Sequence, residues 1–306
     1  MGEQLRFDGR VAIVTGAGRG VGAAHARLLA ARGAAVVVND VGFARGDGGE
    51  TSRAPADEVV RQILEAGGRA VANGEDVAAA AGAKRLVEQA LDAFGGLHIV
   101  LNNAGVGHRA PLVEMSDDDF DFMMRNHVYT CLQTTKAAWP HLAAQRYGRV
   151  VMTSSGAAFF GIPNMSHYCA AKGAVYGLMR SAALEGAEVG VQVNGFWPSA
   201  YTRLVGSDPA LAARMEASMP PELAAPPAVW LTHESCPLNG EVLHGGSGRA
   251  SRVFMGETRG VVRRGLTLED VAENQAELMS EDGYFVFKTA FESSETQTTL
   301  VQAVLG

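Results

Sequence analysis

Residues 10–34, RVAIVTGAGRGVGAAHARLLAARGA, run from a short β-branched apolar segment, through a glycine-rich turn, into an alanine-rich stretch of helical character. A strand, a tight loop and a helix in that order form the opening of a βαβ unit. The glycines of "TGAGRGVG" (15–22) let the chain turn sharply and let backbone N–H groups and the helix N-terminus meet a pyrophosphate. Such a loop is a weak signal by itself, and its context decides what it means.

Moving outward, the same alternation repeats. Short runs at "RVAIVT" (10–15), "AAVVVN" (34–39), "RAVANG" (69–74), "HIVLNN" (98–103), "RVVMTS" (149–154), "VQVNGF" (191–196) and "GEVLHG" (240–245) are separated by longer helical segments. Several are apolar throughout, as expected when both faces of a strand are covered. Alternation with helices implies right-handed crossovers and a parallel sheet. The expected fold is therefore α/β: a Rossmann-like, doubly wound, seven-stranded parallel sheet with helices on both faces, spanning residues 1–250. "GFARGDGGETSRAPAD" (42–57) reads as a long loop, and residues 198–227, interrupted by prolines, read as a mobile cover. After Gly248 the strand pattern stops, so 251–306 is expected to be an appendage packed on the main domain or on a neighbouring subunit.

Composition excludes several classes. The chain has 306 residues, 47% hydrophobic and 19% charged, which suits a globular protein with a sizeable core. A net charge of -7 and the lack of a long basic run argue against nucleic acid as a partner. Cys131, Cys169 and Cys236 are scattered and odd in number, which fits neither a disulfide framework nor a zinc site, and no metal ligands are expected. The first residues lack a signal-peptide core and no apolar stretch reaches the roughly 20 residues of a membrane span, so the expected location is the cytoplasm.

At the nucleotide end, Asp40 follows the second strand about twenty residues after Gly20. An acidic group there accepts hydrogen bonds from both ribose hydroxyls of an adenosine and repels a 2′-phosphate. The expected cofactor is NAD rather than NADP, unless Arg19 or Arg45 turns in to compensate.

At the chemical end, Tyr168 and Lys172 in "SHYCAAKG" (166–173) are four residues apart and share a helix face. A phenol titrates near 10, and a neighbouring ammonium favours the phenolate. Ser155 lies thirteen residues earlier, at the carboxyl end of the fifth strand, where open parallel sheets hold ligands. Its hydroxyl can hold a substrate oxygen while Tyr168 moves the proton. Asn126 interrupts a long helix, where asparagine is unfavourable, and so needs a reason to be there. His25, His127 and His167 have no metal-ligand spacing and read as structural.

Taken with "NNAG" (102–105), these motifs resemble the short-chain dehydrogenase/reductase family over residues 7 to about 250. The resemblance implies that Tyr168 is the general acid/base, that Ser155 orients the substrate oxygen, that Lys172 also holds the nicotinamide ribose, and that Asn126 supports a water relay. It further implies a cofactor site made of Gly16, Arg19, Gly20, Val21, Gly22, Asp40, Asp76, Val77, Asn102, Ala104, Gly105, Tyr168, Lys172, Pro198 and Thr202. One departure stands out: in "WPSAYT" (197–202) Ser199 replaces the usual glycine beside the nicotinamide amide. Members are commonly dimers or tetramers.

Three further segments, "NDVG" (39–42) with its insert, 137–155 and 220–248, resemble the (3R)-hydroxyacyl-CoA dehydrogenase branch of that family, including bacterial single-domain members. What this implies is oxidation of a 3-hydroxyacyl thioester with NAD as acceptor, by a stand-alone form. The alternatives are a hydroxysteroid dehydrogenase, a 3-oxoacyl carrier-protein reductase, and, in a different class, a dinucleotide-binding sensor or scaffold without turnover. The intact Ser155, Tyr168 and Lys172 speak against the last. Arg249, Arg252, Arg259, Arg263 and Arg264 face one acid, Glu257, in the same segment. They read first as a solvated or subunit-contact surface and second as a holder of CoA phosphates.

Overall fold

The computed structural model describes residues 4–43, 51–201 and 218–305. Thr202 and Arg45, together with parts of the 42–57 and 198–227 segments, lie outside the described residues.

The first strand, β1 (Val11–Thr15), is buried along its whole length, with Ala12, Ile13 and Val14 fully inaccessible. It leads through the glycine turn into α1 (Gly20–Ala31), and the pattern continues with β2 (Ala35–Asn39), α2 (Ala54–Glu65), β3 (Arg69–Asn73), α3 (Ala80–Phe94) and β4 (Ile99–Asn102). A second half follows: α4 (Asp117–Met124), a π-turn over Arg125–Tyr129, α5 (Thr130–Ala144), β5 (Gly148–Thr153), the short α6 (Ala157–Phe160), α7 (Ser166–Val189) and β6 (Val191–Pro198). A 3₁₀ turn (Pro221–Leu223) and α8 (Ala225–Trp230) precede β7 (Val242–Gly246) and β8 (Arg249–Val253).

The sheet order is β3-β2-β1-β4-β5-β6-β7-β8, and every pairing from β3 to β7 is parallel. The chain reverses its direction of winding between β1 and β4, which opens a crevice at the strands' carboxyl ends. Helix packing follows the apolar stripes. In α3, Gly82, Ala83, Leu86, Val87 and Ala90 are buried at three- and four-residue spacing while the other face is solvated.

Two expectations need correcting. The sheet has eight strands rather than seven, because β8 folds back from β7 through Ser247 and Gly248, at φ 50° and 76°. A two-residue connection with both φ positive makes an antiparallel hairpin, which the search for strand–helix alternation overlooked. The loop expected over 42–57 is also shorter, since α2 begins at Ala54 with Pro55 in its first turn, a position proline favours.

The chain divides into two compact units, Met1–Arg252 and Val253–Gly306. The second contains α9 (Leu268–Glu273), α10 (Gln275–Leu278) and α11 (Ala290–Leu305), with an antiparallel bridge between Glu257 and Phe285. No side chain described from Val253 to Val304 is buried, as expected for a segment too short to build a core.

Candidate active site

At the crevice, the glycine turn holds a demanding backbone. Gly16 has φ 60°, and a Cβ there would sit 2.7 Å from the Cα of Ala104. Any other residue would push the ends of β1 and β4 apart. A latch joins those same ends: the Thr15 hydroxyl accepts from the backbone N–H groups of Asn103 and Ala104, both at 3.1 Å. Asn103 Nδ2 in turn donates to the carbonyls of Thr15 and Gly16, each at 3.1 Å. The N-terminus of α1 has no side-chain cap and no acid in its first turn. Its free N–H groups and positive end are therefore available to an anion.

Asp40 stands just past β2, with Oδ2 accepting from Gly18 N at 2.8 Å and Oδ1 from Gly42 N at 2.6 Å. A carboxylate keeps further lone pairs after these two bonds, so the group is oriented without being used up. Asp76 accepts from Ala78 N at 2.9 Å and pairs with Arg125 at 2.6 Å.

The cleft has a volume of about 670 Å³. Of the residues implied by the family resemblance, Gly16, Arg19, Gly20, Val21, Asp40, Asp76 and Val77 line it on the first half of the sheet. Ala104, Gly105, Asn126, Ser155, Tyr168, Lys172 and Pro198 line the remainder. Two do not. Asn102 is 1% exposed and donates to Thr135 Oγ1 at 3.0 Å, so its side chain is turned toward α5. Gly22 is buried against the loop: a Cβ there would meet the Gly16 carbonyl and come within 2.5 Å of Asn103 Nδ2, so this glycine serves close packing of α1. Asn103, missed by the sequence reading, faces the cleft instead. Adjacent residues of a strand point to opposite faces, so only one of the two asparagines could do so.

α7 carries Tyr168 and Lys172 on one face. Lys172 is 4% exposed and donates from Nζ to the Thr153 carbonyl at 2.7 Å, while its Nζ is 5.8 Å from the centre of the Tyr168 ring. Burial pushes the ammonium's pKa down to about 8. The Tyr168 phenol is raised above its ordinary value by burial, and a hydrogen bond with Ser155 pulls it the other way. The expectation that Lys172 lowers the phenol is not met in this arrangement, because the ammonium is aimed at a backbone carbonyl. The hydroxyl of Ser155 is the group in contact.

Asn126 has its reason in the π-turn, which displaces its backbone from the regular ladder. Its Nδ2 donates to the Phe122 carbonyl at 2.9 Å, and the Thr130 hydroxyl covers the Asn126 carbonyl at 3.1 Å. His127 packs edge-on to Tyr168 at 5.2 Å and lies 2.9 Å from the Val106 carbonyl through Nε2. Burial lowers its pKa well below the ordinary range, so it is neutral and structural. Ser199 Oγ lies 2.8 Å from His244 Nε2, while Arg249 donates to His244 Nδ1 at 3.1 Å. That donation places the imidazole proton on Nε2, directed at Ser199. Among the described residues no cluster of His, Cys, Asp and Glu could hold a metal, and no helix is long and apolar enough to cross a membrane.

A glycine turn, the Asp40 carboxylate and a Ser–Tyr–Lys wall thus line one crevice at the carboxyl ends of a parallel α/β sheet, the arrangement of a Rossmann-like fold. The family model for short chain dehydrogenase matches residues 10–206, and the chain belongs to that family. It is 40% identical over 264 residues to peroxisomal multifunctional enzyme type 2 of Mus musculus, covering 86% of this chain and 35% of that one. This chain thus spans about a third of the mouse enzyme. It is also 39% identical over 275 residues to a short-chain type dehydrogenase/reductase of Mycobacterium tuberculosis, covering 90% of this chain and 95% of the relative. Among solved structures, full-length peroxisomal multifunctional enzyme type 2 from Drosophila melanogaster superposes with a TM-score of 0.80 at 31% identity, over 98% of this chain and 50% of that one. A 7α-hydroxysteroid dehydrogenase complexed with NADH and 7-oxo glycochenodeoxycholic acid superposes with a TM-score of 0.70 at 28% identity, over 79% of this chain and 95% of that one.

Proposed function

We propose that this short-chain dehydrogenase interconverts a 3-hydroxyacyl-CoA and its 3-oxoacyl form, with NAD as the hydride acceptor. The observation that carries the chemistry is the contact of Ser155 with Tyr168 in the wall that also contains Lys172. The substrate class rests on likeness to the multifunctional enzymes, and the choice of NAD on Asp40, which presents a carboxylate to the adenosine end. The groove suits a dinucleotide: the uncapped end of α1 offers backbone donors to a pyrophosphate, and the Asp40 carboxylate lines the same cleft.

The bound nicotinamide supplies the carbon that takes the hydride. Ser155 donates to the substrate oxygen and holds it beside Tyr168, whose phenolate oxygen takes the alcohol proton during oxidation and whose hydroxyl returns it during reduction. Lys172, anchored on the Thr153 carbonyl, positions the ribose end and supplies positive charge as phenolate character develops. Asn126, steadied on the Phe122 carbonyl by the π-turn, keeps its amide oxygen for a water leading away from Lys172.

We further place the protein in the cytoplasm as a homodimer or homotetramer, with residues 251–306 as an extension of the 1–250 catalytic domain. A second reading, a hydroxysteroid dehydrogenase, is favoured by likeness to the 7α-hydroxysteroid enzyme. The test is consumption of NADH and NADPH with acetoacetyl-CoA and with a keto-steroid. Preference for NADH and the thioester is the expected result; preference for NADPH, or turnover of the steroid alone, overturns the reading.

A further inference from the structure

The cleft wall contains three cationic side chains among the described residues: Arg19, Arg109 and Lys172. Two are committed to the protein. Arg19 Nη1 donates to the Phe43 carbonyl at 3.3 Å, at the adenosine end, and Lys172 Nζ is bound to Thr153. Arg109 is exposed and has no hydrogen bond or ion pair among the described residues. Asp119, further along the same segment, is engaged elsewhere: it faces the imidazole of His108 at 3.2 Å and accepts from Ser116.

Its position also matters. The next residue, Ala110, donates from its N–H to the Asn164 carbonyl at 3.0 Å, which ties the Arg109 segment to the loop preceding α7. That loop contributes Ile162 and Met165 to the wall of the same cleft. An unpaired guanidinium therefore stands beside apolar walls at the substrate end. By contrast, the arginines grouped in the sequence after Gly248 are occupied. Arg252 bonds Glu241 through two nitrogens at 2.8 and 3.0 Å, Arg249 faces His244, Arg259 donates to the Gly283 carbonyl, and Arg263 lies 3.6 Å from Glu277.

We propose that Arg109 is a specificity-determining residue that pairs with a phosphate of an acyl-CoA substrate, while the acyl chain lies against the apolar walls. The assignment rests on the acyl-thioester reading above. A guanidinium matches phosphate geometry with paired N–H donors and keeps its charge at every working pH.

The test compares acetoacetyl-CoA with the acetoacetyl thioester of N-acetylcysteamine, which has no phosphate. In Arg109→Ala, KM for the CoA thioester is expected to rise about ten-fold with kcat within two-fold, the size of a lost charged hydrogen bond. KM for the truncated thioester and for NADH stays as in the wild type, and Arg109→Lys recovers part of the loss. An equal change with both thioesters, or a change in KM for NADH, overturns the proposal. A carboxylate-bearing keto-steroid and its methyl ester form a second pair: a loss confined to the carboxylate assigns Arg109 to a different anion and also overturns it. Failure of the acyl-thioester reading is distinguished by wild-type turnover of steroid without thioester. Titration of free coenzyme A and of pantetheine by calorimetry gives a readout without turnover. Tighter binding of coenzyme A, lost in Arg109→Ala, supports the assignment, and equal binding by both variants overturns it.

Discussion

Lys172 and Tyr168 lie one turn apart on α7, yet the lysine's Nζ is bonded to the Thr153 carbonyl at 2.7 Å and the phenol's contact is Ser155. The two residues share a face without sharing a hydrogen bond. Ser155 is the side chain that bonds the phenol, while the lysine's Nζ stands 5.8 Å from the centre of its ring.

Tyr168→Phe removes the hydroxyl to which the proposed function assigns the proton transfer. We expect kcat to fall by about 10³-fold, within the usual range for a general acid/base, with NADH affinity unchanged. Ser155→Ala is expected to cost about 10²-fold in kcat. Steady-state kinetics together with NADH fluorescence titration separate the chemical loss from a binding loss, and comparable weakening of NADH binding would count against the assignment.

Lys172 is a buried cation, with a pKa of about 8 in the folded chain against 10.5 in the unfolded one. Between those values the unfolded chain holds a proton that the folded chain has released, so stability rises with pH across this window. Below pH 8 the full penalty applies, roughly 3 kcal/mol. Lys172→Met is expected to lose turnover and to show no such rise. Melting temperatures of both proteins at pH 7, 8, 9 and 10 check this; parallel curves would refute it.

Asp40 is held by Gly18 N and Gly42 N, and it lines the cleft where the proposed NAD would place its adenosine. Asp40→Ser removes the repulsion toward a 2′-phosphate and the acceptor for the ribose hydroxyls. NADH affinity should fall about ten-fold and NADPH affinity should rise, as read by fluorescence titration. Unchanged NADH affinity would show that the carboxylate serves only the loop.

His25 is fully buried with both ring nitrogens unpartnered, packed edge-on to Phe196 at 5.7 Å, and burial pushes its pKa down to about 3. Below pH 6.5 the unfolded chain takes up a proton that the folded chain refuses, so this residue lowers stability as pH falls from 6.5 toward 3. At pH 5 the loss is about 2 kcal/mol. His25→Leu, similar in volume and without a proton to take, should lose that much less stability between pH 7 and 5 in urea melts. Equal losses in both proteins would refute it.

Much of the fold was legible in local pattern. Apolar runs and glycine turns located seven strands to within a residue or two, because parallel strands buried on both faces carry an unmistakable composition. β8 escaped because its residues, RASRV, are polar and half exposed at the sheet edge, and no helix announces the crossover. The cleft's outline was legible too, yet Asn102 and Gly22 were assigned to it and Asn103 was not. Motif spacing locates a segment; it does not say which way a side chain faces.

The sequence by itself determined the alternation of strands and helices, the glycine turn before α1, and the helical spacing of Tyr168 and Lys172. These depend on interactions within a few residues, which composition and periodicity report directly. Only the tertiary structure decided that Asn103 rather than Asn102 meets the cleft, that the lysine reaches a strand carbonyl nineteen residues away instead of the phenol, and that Arg109 has no partner among the described residues. Each of those outcomes depends on the register of strands far apart in the chain, and on which polar group lies within bonding distance once they are packed.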